Sequence, residues 1–393
     1  MIPSRSAALS VLSILLTVAF VPCPASAEPV NSRAARIVLF VPEGSELPAG
    51  HIKKLQSIAV RTEAFYADGI EKWGWKVARR EIFARNPAGK IEIVVARGKL
   101  PKSATGSAAL PAIQKIATDT ATKKIGQSAA KQSIWWTFYH CPDHEVKGFR
   151  GMSGRAINAY PAVEGEVTPT IDLADKAMWP LNLKGCIHEF GHALGLPHIG
   201  PKPDLKLGNT LMGPINKAFV AKWPECADDS RVYLSEASAA MLAQHPLFSK
   251  ASEPHNPKPS PIALSALSFK EAPDGTFTVA GTVTGKTKIH SAIVLDTSRG
   301  FGDYWSRPYR TKVDKQGKFS IAVDEPFNSK KGMLALYFCQ ENGRNSGTGK
   351  REVLTGDYIE IQYEGAPGKR EFKRLETPTK RTRKKRTSKQ KSM

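Results

Sequence analysis

Residues 188–198 read HEFGHALGLPH, and this stretch decides how the rest of the chain is interpreted. His188 and His192 stand four apart, so on a helix they lie one turn apart on one face, where two imidazoles can reach a single metal ion. Gly195 comes three residues later, and glycine enters the left-handed region at little cost, so the helix can end there and the chain can turn back. His198 then becomes available as a third ligand. Three protein ligands leave the fourth tetrahedral position to water, the pattern of a catalytic rather than a structural zinc. Glu189, beside the first ligand, is placed to act as general base for that water. The plainer alternative is a set of helix-surface histidines beside a chance acid, and it leaves the glycine and the third histidine as coincidences.

The spacing H-E-x-x-H-x-x-G-x-x-H resembles that of the metzincin zinc endopeptidases. That family carries a tight turn with a methionine beneath the metal; here Asn209-Thr-Leu-Met-Gly-Pro214 follows His198, which makes Met212 the corresponding residue. The wording is most similar to the matrixins, which share HEFGHALGL and Leu-Met-x-Pro. The segments 158–161 and 171–179 echo the matrixin edge strand and the stretch before its helix. Ile199 stands where matrixins carry serine, the run from His198 to Met212 is longer than theirs, and no cysteine-switch propeptide is visible. The resemblance implies an α+β catalytic domain with a twisted mixed sheet and a central zinc helix. It implies one catalytic Zn²⁺ on His188, His192 and His198, Glu189 as base, and Met212 as a structural support. It also implies a substrate extended along an edge strand near 156–160, with residues 211–215 walling the pocket past the cleaved bond. A structural Ca²⁺ is compatible with such a fold, but no motif indicates one.

The flanking sequence fits a mixed α/β unit over residues 28–250. Runs 36–41 (RIVLFV), 91–96 (IEIVVA) and 134–139 (IWWTFY) read as buried strands, and 155–160 as a fourth strand at the sheet edge. Ile52, Leu55, Ile58, Ala59, Phe65 and Tyr66 recur at helical spacing, and the alanine-rich stretch 109–130 reads as another helix. The zinc helix is expected over 180–194, with Pro180 in its first turn, and a closing helix over 235–244. His140 and His144, with Asp143 and Glu145, could hold a structural ion, but no spacing rule supports a site and a solvated loop is the preferred reading; His51, His245, His255 and His290 are isolated and receive no role.

Residues 251–262 form a proline-rich linker. Beyond it, 263–363 changes to short alternating runs between turns, such as Phe277, Val279 and Val283, the turn at 314–317, then KFSIAV at 318–323 and strands at 333–339 and 358–363. This spacing predicts an all-β sandwich without a catalytic motif, with a binding or spacing role. Phe301, Tyr304, Trp305 and Tyr309 are either a ligand surface or packing.

The two ends differ from the middle. Residues 1–27 have Arg5, an apolar run over 7–20 and Ala25-Ser26-Ala27, the layout of an export signal; Cys23 lacks a lipidation box, and no later stretch reads as a transmembrane segment. An exported chain permits disulfides among Cys141, Cys186, Cys226 and Cys339. Three complete pairings are open, buried free thiols are the alternative, and a bridge at Cys186 would brace the zinc helix. The tail 364–393 is basic, and about half the net charge of +21 lies in 369–393. Such a segment should be disordered and suits polyanions through counterion release: anionic cell-surface polymer, lipid headgroups or extracellular nucleic acid. A solvated tail with no partner is the alternative.

Taken together, the sequence predicts an exported, extracellular, periplasmic or cell-surface zinc endopeptidase acting on protein or peptide. Its rival is a catalytically inactive zinc-containing binding protein anchored to polyanions by its tail.

Overall fold

The computed structural model describes residues 33–100, 109–140, 148–152, 154–160, 167–214, 231–249, 260–297, 306–327, 330–346 and 358–375. The expected export signal 1–27, residues 251–259 of the expected linker, Cys141, Cys226, Asp143, His144, Glu145, Phe301, Tyr304, Trp305 and the stretch beyond 375 lie outside the described residues.

The N-terminal half is built on β1 (Ala35–Pro42), β2 (Ile93–Gly98), β3 (Ile134–His140), β4 (Phe149–Met152) and β5 (Arg155–Tyr160), ordered β2-β1-β3-β5-β4. The pairings β1–β2, β1–β3 and β3–β5 are parallel, and β4 runs antiparallel to β5 at the edge. Every residue of β1 is buried, because both faces of the sheet are covered. Side chains alternate across a strand, so Ile37, Leu39 and Val41 enter one core while Val38 and Phe40 enter another. The first core is filled by α1 (His51–Lys72), through Leu55, Ile58, Ala59 and Tyr66, and by α4 (Leu183–Ala193), through Ile187 and Phe190. The second is filled by α2 (Leu110–Ile125) through Leu110, Ile113, Ala117 and Ala121.

Several expectations shift. The alanine-rich stretch is two helices, because Gly126 at φ 87° separates α2 from α3 (Gln127–Lys131). Residues 155–160 are not the edge strand: β5 lies inside the sheet, and Phe149–Met152, unmarked by any long apolar run, forms the edge. The helix expected over 180–194 begins at Leu183 rather than 180, because Asn182 caps it and accepts the Gly185 N–H at 3.1 Å. Two short strands, β6 (Asn209–Thr210) and β7 (Val232–Tyr233), pair in parallel, and the closing helix, Glu236–Leu242, is capped by Ser235.

The C-terminal half consists of two antiparallel sheets. One carries β8 (Ile262–Glu271), β9 (Phe277–Gly285) and β12 (Lys318–Val323). The other is ordered β11 (Arg307–Lys312), β10 (Ile289–Thr297), β13 (Lys331–Gln340), β15 (Ile359–Glu364) and β16 (Glu371–Arg374), with β14 (Asn345–Ser346) beside β13. They enclose a shared core of Phe277, Val279, Val294, Ile321, Leu336 and Phe338. Tyr309 is buried within it, which assigns that member of the aromatic cluster to packing.

The expected start of the tail is corrected. Residues 364–375 are not a free tail, because β16 pairs with β15 and Arg370 is buried against Glu271 at 2.6 Å, also donating to the Gly275 carbonyl. The opposite faces of β10 and β13 place Ile293, Leu295, Ala335, Tyr337 and Cys339 in the core that holds α1 and α4. The two halves therefore share apolar packing. Arg310 reinforces the seam: its guanidinium lies 5.0 Å from the Trp75 ring and pairs with Glu236 at 3.0 Å. Among the described residues, no helix is long and apolar enough to cross a membrane.

Candidate metal centre

α4 is fixed on its buried side by aromatic packing. Phe190 lies 4.8 Å from the Trp136 ring and 5.3 Å from Phe83, and the Tyr66 hydroxyl donates to the Ile187 carbonyl at 3.1 Å. Its C-terminus closes with Leu196 N–H on the Gly191 carbonyl and Gly195 N–H on the His192 carbonyl, both at 3.0 Å. Gly195 has φ 89°, the left-handed conformation that this closure requires. The same turn presents the Leu196 carbonyl to His192 Nδ1 at 2.8 Å. His188 Nδ1 bonds the Leu211 carbonyl at 2.8 Å. A carbonyl only accepts, so Nδ1 carries the proton in both rings and Nε2 keeps its lone pair.

His188, His192 and His198 offer ligand atoms that all lie within 4.8 Å of one another. His192 Nε2 and His198 Nε2 are 2.9 Å apart. Burial holds all three imidazoles towards the neutral form: His188 well below its ordinary value, His192 lower, and His198 down to about 3. Neutral histidines on one point are the donor set of a zinc ion, so the residues fit the metal that the motif implies.

Glu189 is pushed up to about 7, mainly by burial, while the Gly151 N–H bonded to its carboxylate opposes the shift. Gly151 belongs to β4, and a Cβ there would come within 2.3 Å of the Glu189 carbonyl and 2.6 Å of His192 Cβ. Only glycine lets the edge strand cross α4 this closely. Met212 is fully buried beneath the helix. A Cβ on Gly191 would come within 2.6 Å of its Sδ, so the glycine inside HEFGH leaves room for the thioether. Lys184, one turn before His188, donates to the Pro214 carbonyl at 2.5 Å and is lowered to about 7 by burial.

The segment 196–202, carrying His198, has no helix to hold it. Ile199 N–H donates to the Met212 carbonyl at 3.1 Å and the Thr210 hydroxyl to the Ile199 carbonyl at 2.5 Å. From the C-terminal half, the Ser306 hydroxyl donates to the His198 carbonyl and Gly200 N–H donates to the Ser306 carbonyl, both at 2.8 Å. Lys202 lies 4.8 Å from the Tyr309 ring centroid and 3.4 Å from Asp324. Sequence reasoning missed Gly151, Gly191, Thr210, Lys184 and Ser306. Gly191 was visible inside the motif; nothing in the sequence marked Ser306.

Other candidates fall elsewhere. Cys186 is a buried free thiol, raised by burial, and Cys339 is likewise free and buried, so the bridge at Cys186 is not formed. His140 does not sit in a solvated loop: it is fully buried at the end of β3, bonds the Glu46 carbonyl at 3.1 Å and packs edge-on to His51 at 5.5 Å. His245 accepts the Leu247 N–H, and His290 packs on Trp75.

No protein-family model and no curated protein matches the chain. The fold is similar to crystal structures of OgpA from Akkermansia muciniphila at 18% identity. Wild-type OgpA superposes with a TM-score of 0.65, covering 88% of this chain and 96% of OgpA. A catalytically inactive OgpA in complex with an O-glycopeptide substrate, glycodrosocin, superposes at 0.63 with the same coverage.

Proposed function

We propose that the protein is a zinc-dependent endopeptidase hydrolysing peptide bonds of extracellular proteins, O-glycosylated polypeptides among them. The observation that carries this reading is a carboxylate, Glu189, beside three neutral imidazoles that converge on one point. The OgpA fold, solved elsewhere with an O-glycopeptide, supports the substrate class.

His188, His192 and His198 would hold the ion. When bound, zinc supplies Lewis-acid polarisation of a carbonyl and lowers the pKa of a water. Glu189 takes a proton from the attacking water and returns it to the departing amine. Burial sets its carboxyl high in the metal-free chain, and a dication held by the three histidines would favour the ionised form that a base requires. Gly151 N–H fixes the direction of that carboxylate.

An extended peptide would add to the outer edge of β4, with main-chain hydrogen bonds giving grip and side-chain pockets giving selectivity. Residues 211–214 and Lys184 would close the pocket past the cleaved bond. Residues 1–27 would direct export, and the basic stretch beyond 375 would act in location, on anionic polymer, lipid headgroups or extracellular nucleic acid.

The test is a digest of a peptide and O-glycopeptide library by the purified full chain, with and without a chelator. Cleavage should stop on chelation and return with added zinc. Cleavage that persists without metal sinks the mechanism. Bound zinc with no cleavage of any library member instead favours the inactive polyanion-anchored binding protein.

A further inference from the structure

We infer that the C-terminal sheets are part of the metal centre, with Ser306 as a positioning residue for His198; this rests on the zinc reading above. His188 and His192 gain their direction from a helix packed on aromatic rings and from Nδ1–H bonds to carbonyls. His198 sits on irregular backbone after Gly195, so the placing of its ring depends on what holds that backbone.

The backbone is gripped on two sides. One side is the Met212 turn, through Ile199 N–H and the Thr210 hydroxyl. The other is Ser306, just ahead of β11, which donates its hydroxyl to the carbonyl of His198 itself and accepts from Gly200 N–H. Ser306 is 2% exposed, so these bonds are made away from competing water. Beyond them, Lys202 is seated on Tyr309 and paired with Asp204 and Asp324, which anchors the far end of the same segment. Nothing comparable is needed by the helix ligands. Removing the clamp frees a ligand that must be re-ordered on each binding event, which weakens the metal without altering its ligand set.

The experiment measures zinc affinity of the full-length protein by competition with a chromophoric chelator. Ser306→Ala should weaken zinc by about tenfold, the lower end for lost outer-shell contacts. Lys202→Gln, at the partly exposed end of the segment, should weaken it by about threefold, and it remains informative if Ser306→Ala does not fold. Tyr363→Phe is the control: it removes a buried bond from β15 to Asp296 within the same sheets while leaving Ser306 and Lys202 in place, and should leave zinc affinity unchanged. A merely structural role destabilises metal-free and metal-bound protein equally and leaves affinity untouched. Zinc affinity within twofold of wild type in both Ser306→Ala and Lys202→Gln overturns the inference, as does an equal loss in Tyr363→Phe. A wild-type chain that binds no zinc removes the metal reading itself, and this inference with it.

Discussion

The two helix-borne histidines and the third histidine reach the same point by different routes. The helix and spacing that carry His188 and His192 are set by rules that act within a few residues, Asn182 at the cap, four-residue spacing and Gly195 at the stop, and packing on Trp136 with the Leu211 carbonyl then orients them. His198 is placed by partners far away in the chain, Thr210 and Met212 beneath it and Ser306 from the other half of the molecule. Local fixing makes a motif that can be read from eleven residues. Distant fixing makes the same centre sensitive to changes that lie nowhere near it in sequence.

The largest effect tests the centre as a whole. Glu189→Gln should retain zinc and fold but lose at least about 10²-fold in peptide turnover, because an amide cannot accept the water proton. Near-normal turnover with zinc in place would reject the base.

Next comes a break on the distant side. A chain ending at Tyr363 loses β16, the Arg370 partner of Glu271 and the Phe372 ring stacked on Phe269 at 4.7 Å. Removing one member of a buried pair costs about 3 kcal/mol or more, so urea unfolding should shift strongly. A chain ending at Leu375 keeps them all. It should unfold and cleave a small neutral peptide like the full chain, while any attachment to anionic surfaces should fall and lose its steep salt dependence. Equal stability of the two truncations would show that β16 does not support the sheets that grip His198.

Gly191→Ala breaks the local side. The new methyl would strike Met212 Sδ and come within 2.9 Å of the Tyr66 hydroxyl, so about 2 kcal/mol of stability should be lost in thermal unfolding. An unshifted melting temperature would mean that the thioether moves aside freely.

The smallest effect concerns the distant half and depends on pH. Asp296 is fully buried, accepts from the Tyr363 hydroxyl and the Phe327 N–H, and is raised to about 6 by burial. The folded state therefore holds this proton more tightly than the unfolded chain does. Its contribution is present at low pH and is lost as pH rises through about 6. Between pH 7 and pH 5 the wild type should gain about 1 kcal/mol over Asp296→Asn. No change in that difference would remove the raised carboxyl.

What was legible followed the same division. RIVLFV and IWWTFY were readable because burial on both sheet faces writes an unbroken apolar run, and the α1 stripe because burial of one helix face writes a helical period. The edge strand was not, because Phe149–Met152 is short, half exposed and selected for a close crossing at Gly151 rather than for apolar pattern. The shared core was partly written in β13, whose residues 333–339 (MLALYFC) form a nearly unbroken apolar run where a half-exposed strand would alternate; Leu336 and Phe338 face one core, Tyr337 and Cys339 the other. The start of the tail was misread because Lys and Arg content hid an arginine whose partner, Glu271, lies 99 residues earlier. Ser306 left no trace because a serine that bonds a backbone carbonyl needs no particular neighbour.

The Ser306–His198 bond joins positions 108 residues apart. A chain leaving the ribosome presents its first two ligands and Glu189 long before Ser306 exists. On the reading proposed here, the nascent chain passes through a stage with a complete motif and a third ligand gripped from one side only. Hydrolytic competence then arrives last, with the folding of sheets that contain none of the reacting groups, so a prematurely terminated chain is also a poor protease.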